Sequence, residues 1–140
     1  MGKVQILAVL TMDGCLSSEL YDKAHQDLCL DRCGLDEIRE KALYHVTPDY
    51  SISMLHEWRK DGTNIRYLAE ATPATSDYIN GLLRMHAVDE IILYTVPFIA
   101  GTGRHFFKSA LPEQHWTLSS LKSYSNGVCR IIYILDKKAR

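Results

Sequence analysis

Two glycines separated by one residue follow an apolar segment in the second half of the chain. Residues Ile91 to Val96 carry no charge and include β-branched and aromatic side chains, which is typical of a strand covered on both faces. Pro97 lacks a backbone donor and predicts the end of strand pairing, and Gly101-Thr102-Gly103 then forms a backbone that a ligand can approach closely. Ligands of open α/β sheets bind at the carboxyl ends of the strands, so Pro97 to Arg104 is the first candidate for a site. A tight glycine turn that leads into an antiparallel strand explains the pattern equally well.

An aspartate and a glycine follow the first strand that the sequence predicts. Val4 to Leu10 is apolar and β-rich, and Thr11 to Gly14 comes next, where Asp-Gly favours a turn. Asp13 is therefore expected at the carboxyl end of a strand, a position that suits an active-site carboxylate. An aspartate that only forms the turn is the commoner explanation of this pattern.

The chain has four cysteines: Cys15, Cys29, Cys33 and Cys129. None of them forms a Cys-x-x-Cys pair, which favours reduced thiols over disulfides. His25, Cys29 and Cys33 recur every four residues and could gather on one face of a helix as metal ligands. Because Gly34 interrupts that helix and no fourth ligand is evident, we favour a buried helix face and expect no metal.

Length and composition favour a single globular domain over residues 1–140. The apolar share of 46% and the charged share of 24% are ordinary for a soluble protein, and the net charge of −1 predicts no nucleic-acid partner. No apolar run approaches the roughly 18 residues that span a bilayer, so we expect no membrane association. The first residues lack the apolar core of a signal peptide, which predicts a cytoplasmic protein.

Strand and helix patterns alternate along most of the chain. Strands are predicted at residues 4–10, 42–46, 65–69 and 91–96, with helices between them at about 19–43 (broken at Gly34), 50–60 and 77–85. Asn126-Gly127 predicts a hairpin turn between two further strands at 115–121 and 128–135. The predicted fold class is therefore α/β, with a doubly wound, mostly parallel sheet and an antiparallel C-terminal hairpin at its edge.

Three segments carry a resemblance to a known family. Ala8 to Ser17 contains Thr-Met-Asp-Gly after a strand, Glu70 opens the segment Glu-Ala-Thr-Pro, and Val88 to Phe107 contains Val-Asp-Glu, a proline and Gly-x-Gly. In these segments the chain resembles the reductase domain of riboflavin biosynthesis, which is the carboxy-terminal domain of the bifunctional deaminase-reductase and has the dihydrofolate-reductase-like fold. The resemblance is good over residues 64–135, reasonable over 1–17 and poor between them.

The resemblance implies an enzyme that transfers hydride from NADPH to a small pyrimidine- or pterin-like substrate. It implies that Asp13 and Glu70 are catalytic and that both contact the substrate, together with Pro97. It also implies that the cofactor is bound by Thr11, Gly14, Thr47, Ala71, Thr72, Gly101, Thr102 and Gly103. Relatives often pair through the edge of the sheet, so a homodimer is expected as well.

The chain departs from the family pattern in two places. Ala71-Thr72 stands where the family has paired glycines, and two Cβ atoms could obstruct the approach of the cofactor pyrophosphate. Thr72, Thr75 and Ser76 offer hydroxyls there instead. The middle region is also about one β-α unit short and lacks a Gly-Arg-x-Thr-like segment. The alternative function is therefore a non-catalytic or ligand-binding relative that kept the fold after losing the dinucleotide phosphate grip.

Overall fold

One six-stranded sheet organises the chain. The computed structural model describes residues 2–16, 33–60, 64–97, 99–101 and 105–136. Along these residues the elements are β1 Lys3–Leu10, α1 Leu35–Lys41, β2 Tyr44–His45, α2 Ile52–Lys60, β3 Arg66–Glu70, α3 Ser76–Arg84, β4 Glu90–Thr95, β5 Trp116–Ser123 and β6 Cys129–Leu135. The strands lie in the order β2-β3-β1-β4-β6-β5.

The pairing of the strands confirms the predicted fold class. The first four strands of the chain are parallel to one another, whereas β6 runs antiparallel to both β4 and β5. The strand predicted over residues 42–46 is shorter than expected, because only Tyr44 and His45 pair with β3. Both residues are exposed at the edge of the sheet, and among the described strands β2 has a neighbour on one side only.

Central strand β1 separates two apolar cores. Val4, Ile6, Ala8 and Leu10 face the side that α2 and α3 cover, and Leu7 and Val9 face the side that α1 covers. Helix α2 buries Leu55 completely and packs Trp58 against the same core, while Met54 is exposed. The alternation of apolar side chains along a strand with helices on both faces is what makes this sheet doubly wound.

A buried ion pair connects α2 to two strands. Arg59 Nη2 lies 2.5 Å from Asp89 Oδ1, and Arg59 Nη1 donates to the carbonyl oxygen of His86 at 2.9 Å. The other carboxylate oxygen of Asp89 accepts the backbone N–H of Val4 at 2.9 Å. Asp89 therefore joins the start of β1, the start of β4 and the end of α2.

Part of the predicted middle region lies outside the described residues. This includes the helix expected near Glu19 and two of the three candidate metal ligands, His25 and Cys29. Cys33 is buried, and no group of three or more His, Cys, Asp or Glu side chains in the described ranges could hold a metal ion. Within those same ranges, no helix is long and apolar enough to cross a membrane.

Candidate functional site

The carboxyl ends of three neighbouring strands form one edge of the sheet, which we call the rim. Strand β1 pairs with β3 up to Leu7 and Glu70, and with β4 up to Leu10 and Thr95. The N–H of Val96 then donates to the carbonyl of Leu10 at 2.9 Å, which extends this pairing by one residue. The segments that follow β1, β3 and β4 therefore start from neighbouring positions on the rim.

Asp13 connects the segment after β1 to the segment after β4 through hydrogen bonds. Its carboxylate accepts the backbone N–H groups of Ala100 and Gly101, each at 3.1 Å, and also the hydroxyl hydrogen of Thr11. Gly14 and Gly101 both have positive φ, 82° and 76°, a conformation that glycine adopts without strain. The Asp-Gly turn and the first glycine of the Gly-x-Gly segment thus meet at one corner of the rim.

The hydrogen bonds to Asp13 set its protonation state. They hold the pKa of its carboxyl at about 2, below the usual 3.8, with the Thr11 hydroxyl as the largest cause and the N–H groups of Ala100 and Gly101 also contributing. Asp13 is consequently ionised near neutral pH, where it accepts hydrogen bonds and does not donate a proton.

The depressed pKa of Asp13 predicts how acid affects stability. Because the folded-state pKa lies below the unfolded one, the stabilisation is present above about pH 4 and is lost as pH falls through about 2. We expect the melting temperature of Asp13→Asn to be lower than that of the wild type at about pH 5. The difference between the two melting temperatures should narrow towards about pH 2. Thermal melts across this range measure the effect. Asp49→Asn, which changes an exposed carboxylate near β2, is the control, and a gap that stays constant with pH would contradict the assignment.

Glu70 ends β3 and is bound by an arginine of α1. Arg39 Nε donates to Glu70 Oε1 at 2.9 Å, and Arg39 Nη2 lies 2.8 Å from the same oxygen. About a third of each side chain is exposed. Both contacts involve Oε1, so Oε2 of this partly exposed side chain is placed to accept a donor from a ligand.

The segment between β3 and α3 is held by hydrogen bonds between its own residues. Thr75 donates its hydroxyl hydrogen to the carbonyl of Glu70 at 2.7 Å and accepts the N–H of Thr72 at 2.8 Å. Thr72 Oγ1 accepts the N–H of Thr75 at 3.2 Å, and Ala71 packs against the core beneath α2 and α3. Ser76 differs, because its buried hydroxyl has no hydrogen-bond partner within the described part of the chain.

No hydrogen bond connects the remaining described site residues, Thr47 and Pro97, to Asp13. Thr47 follows β2 and is exposed, and its hydroxyl oxygen accepts the N–H of Asp49 at 3.4 Å. Pro97 is exposed and packs beside the turn of the β5–β6 hairpin, since a Cβ built on Gly127 would lie 3.0 Å from Pro97 Cγ. Thr102 and Gly103 lie outside the described residues.

Asn80 is a positioning residue of the rim that the sequence did not single out. It is completely buried in α3, where its Nδ2 donates to the carbonyls of Ser76 and Phe106, both at 2.8 Å. Its Oδ1 accepts the N–H of Lys108 at 3.0 Å. Asn80 thereby fixes the segment that follows the Gly-x-Gly turn. A polar residue among the buried apolar positions of a predicted helix was the available signal.

Comparison of the sequence with protein-family models and with curated proteins finds no match. Solved structures do match. A protein named for riboflavin biosynthesis from Shewanella sp. PV-4 superposes with a TM-score of 0.64, covering 96% of this chain and 99% of its own, at 10% identity. RibD of Acinetobacter baumannii gives 0.53 over 97% of this chain at 14% identity, and this chain spans only 58% of that protein.

A third match adds a protein named as a reductase. Riboflavin biosynthesis reductase Rib7 of Saccharomyces cerevisiae has a TM-score of 0.50, covering 97% of this chain and 89% of its own, at 13% identity. The chain has the dihydrofolate-reductase-like fold. At these identities the likeness establishes the fold alone. In that dihydrofolate-reductase-like sheet, the rim formed by β1, β3 and β4 is the edge at which open α/β sheets bind ligands.

Proposed function

We propose that the chain is an NADPH-dependent reductase that transfers hydride to a small pyrimidine- or pterin-like substrate at the rim. The corner built by Asp13 is the main support, because it brings the segment after β1 against the segment after β4. The fold likeness to proteins named for riboflavin biosynthesis supports the same class of activity. Fold likeness does not itself establish activity, so the proposal depends on the geometry of the rim.

The start of α3 has one group suited to a phosphate. The buried hydroxyl of Ser76 lies in the first turn of this helix, where backbone N–H groups and the helix dipole favour an anion. The hydroxyl of Thr75 and the N–H of Thr72 are bound to one another and are not available. We propose that Ser76 contacts the phosphates of NADPH. Ala71 and Thr72 remain proposed phosphate contacts on the family resemblance alone.

The proposed roles of the other residues follow from their positions. Thr11, Gly14 and Gly101, with Thr102 and Gly103, would line the nicotinamide pocket, and Thr47 would lie near the adenosine half. When bound, NADPH would supply the hydride. Glu70 would accept a hydrogen bond from the substrate, and Pro97 would contact the substrate. Asp13 would hold the two segments of the rim in place, as an ionised acceptor that leaves proton donation to another group.

NADPH titration tests the proposal. We expect NADPH to raise the melting temperature and to change fluorescence on binding. Ser76→Ala should weaken binding about ten- to a hundredfold, because a hydrogen bond to a charged group contributes about 1.5–3 kcal/mol. Ser53→Ala, an exposed serine of α2, is the matched control and should bind normally. Absence of any effect at millimolar NADPH would remove the reductase proposal.

The second candidate is a ligand-binding relative without catalysis. The specific observation in its favour is that Thr72 and Thr75 close on one another where the cofactor phosphates would lie. Under this proposal small pyrimidine- or pterin-like compounds bind at the rim, NADPH does not, and NADPH absorbance stays constant when both are present. A middle region shortened relative to the reductases would agree with either candidate.

We also propose a single cytoplasmic domain over residues 1–140 that forms a homodimer through β5. Among the described strands, β5 pairs only with β6, and it exposes Leu118 and Leu121. Unpaired strand edges readily join a second strand. Light scattering is expected to give twice the chain mass of 16.0 kDa. Leu121→Lys should shift the protein towards monomer, whereas the matched exposed change Met54→Lys should not. A monomeric wild type would contradict the homodimer.

A further inference from the structure

A polar cavity lies between α1 and the sheet. Its volume is about 220 Å³, and its floor is formed by side chains of β1, β3, β4 and β6. Helices α2 and α3 pack on the opposite face of the sheet. None of the predicted site residues of the rim lines this cavity. It is therefore a separate candidate for ligand binding.

One end of the cavity holds a buried amide that is not satisfied. Gln5 is only 5% exposed, and its Oε1 has no hydrogen-bond partner among residues in the described ranges. Glu90 lies directly opposite Gln5 in the β1–β4 pairing, and Arg66 of β3 lines the same cavity. A buried amide without a partner is unfavourable, so this end is expected to meet a hydrogen-bonding group.

The other end holds the guanidinium of Arg130, which forms no ion pair with a described residue. Arg130 Nε is buried and has no hydrogen-bond partner in the part of the chain described. Burial raises the pKa of the neighbouring Tyr94 to about 12, so its phenol is neutral and does not compensate the guanidinium charge. Burial also raises the pKa of Tyr124, with Arg130 opposing the rise and Glu37 adding to it. Arg130 and Glu37 therefore both lie near Tyr124.

The charges around the cavity are arranged in two groups. Arg130 and Glu37 mark one end, and Glu90 and Arg66 mark the other, with Lys41 of α1 as a further cation. The apolar side chains between them are Ile38, Ile92 and Ile132. None of the five charged residues forms an ion pair with another described residue. Along β4, Glu90 is four residues from Tyr94, the partner of Arg130, which separates the ends by roughly 13 Å at the backbone.

We propose that this cavity binds a free α-amino acid whose side chain ends in a carboxamide. Arg130 would bind the α-carboxylate through its planar guanidinium, and Glu37 would bind the α-ammonium. The methylene groups would cross the isoleucine floor. A carboxamide both donates and accepts, so it complements Gln5 together with the opposite charges of Glu90 and Arg66.

The size of the cavity agrees with such a ligand. Its volume of about 220 Å³ is below the range of roughly 300–1,000 Å³ that is typical of sites for drug-sized molecules. It equals the volume of about seven waters in the liquid, which selects a small metabolite. A cavity filled only by water is the competing explanation, since water could also satisfy Gln5 and Arg130.

Calorimetry and NMR with the whole chain and L-glutamine separate these explanations. We expect saturable binding with a Kd of about 1 mM or tighter, and amide shifts at Glu37, Ile92 and Ile132. Glutaramic acid, which lacks the α-ammonium, should bind at least about tenfold more weakly. L-glutamine should also bind at least about tenfold more weakly to Glu37→Gln and to Arg130→Lys. Glu57→Gln, on the exposed face of α2, should leave the binding of L-glutamine unchanged.

Three outcomes would overturn the proposal: no saturable binding, shifts centred on Asp13 and Gly101, or equal binding by Glu37→Gln and the wild type. Glu37 is exposed, so its variant remains informative even if Arg130→Lys does not fold. NADPH binding at the rim is measured separately with Ser76→Ala. The two proposals can therefore fail independently.

Discussion

Replacing Asp89 by alanine is expected to lower the free energy of unfolding by about 3–5 kcal/mol, because it leaves a buried guanidinium without its partner. The side chains of Arg59 and Asp89 are only 11% and 17% exposed, so water cannot readily replace the lost carboxylate. The variant also leaves the N–H of Val4 without its acceptor at the start of the central strand. Chemical denaturation of both proteins measures the difference.

A matched control distinguishes this buried pair from surface charge. Asp36→Ala removes a carboxylate that lies 3.7 Å from Arg39 and is 57% exposed, so a loss below about 1 kcal/mol is expected. Equal losses for the two variants would show that Asp89 does not act through burial. Asp89→Asn should fall between wild type and Asp89→Ala, because the amide keeps the shape of the side chain but loses its charge.

Changing Asn80 to aspartate is expected to lower the free energy of unfolding by about 2–4 kcal/mol at neutral pH, although the side chain keeps its size. The Nδ2 of Asn80 donates to two carbonyls, and an ionised carboxylate would face both of those oxygens without donating. The folded protein would favour the protonated acid, so the pKa of the introduced carboxyl should rise on folding. The free energy of unfolding that Asn80→Asp loses relative to the wild type should therefore be smallest at low pH. This loss should grow as pH rises through the raised pKa.

Chemical denaturation of Asn80→Asp and of the wild type, at a series of pH values from acid to neutral, measures the difference in their free energies of unfolding. The exposed Asn126 is a poor match for a buried position, so the useful companion is Asn80→Ala, whose deficit should not depend on pH. A deficit for Asn80→Asp that is independent of pH would contradict the proposed hydrogen bonds. Because Asn80 holds Phe106 and Lys108, we also expect both variants to bind NADPH more weakly if the rim is the cofactor site.

Periodicity predicted most of the fold correctly because the central strands are buried on both faces. The uncharged segment Ile91 to Val96 corresponds to β4 within one residue at each end, and Asn126-Gly127 does turn between β5 and β6. The strand predicted at 42–46 has two paired residues, because its length depends on pairing with β3 and not on its own composition. Trp58 and Met54 are one helical turn apart in α2 and equally apolar, so only the structure shows that Trp58 packs against the core and that Met54 is exposed.

The rim was only partly predictable. The Asp-Gly and Gly-x-Gly patterns indicated turns at Gly14 and Gly101, and both glycines have positive φ in the structure. Both segments were expected at the carboxyl ends of strands. The contact between Asp13 and the N–H of Gly101 joins residues far apart in the chain, and no local pattern specifies it. The same holds for Arg39 with Glu70 and for Arg59 with Asp89. The motif Val-Asp-Glu drew attention to Asp89, but its partner is visible only in three dimensions.

The position of β6 has a consequence for how the protein is made. This strand comes last of the six in the chain, yet it lies between β4 and β5. Until the ribosome has released residues 129–135, one hydrogen-bonding side of β4 has no neighbour and β5 has nothing to pair with. The sheet therefore cannot be completed before residues 129–135 have emerged, and a nascent chain stalled before that point would expose the open edge of an apolar strand to chaperones or to other nascent chains.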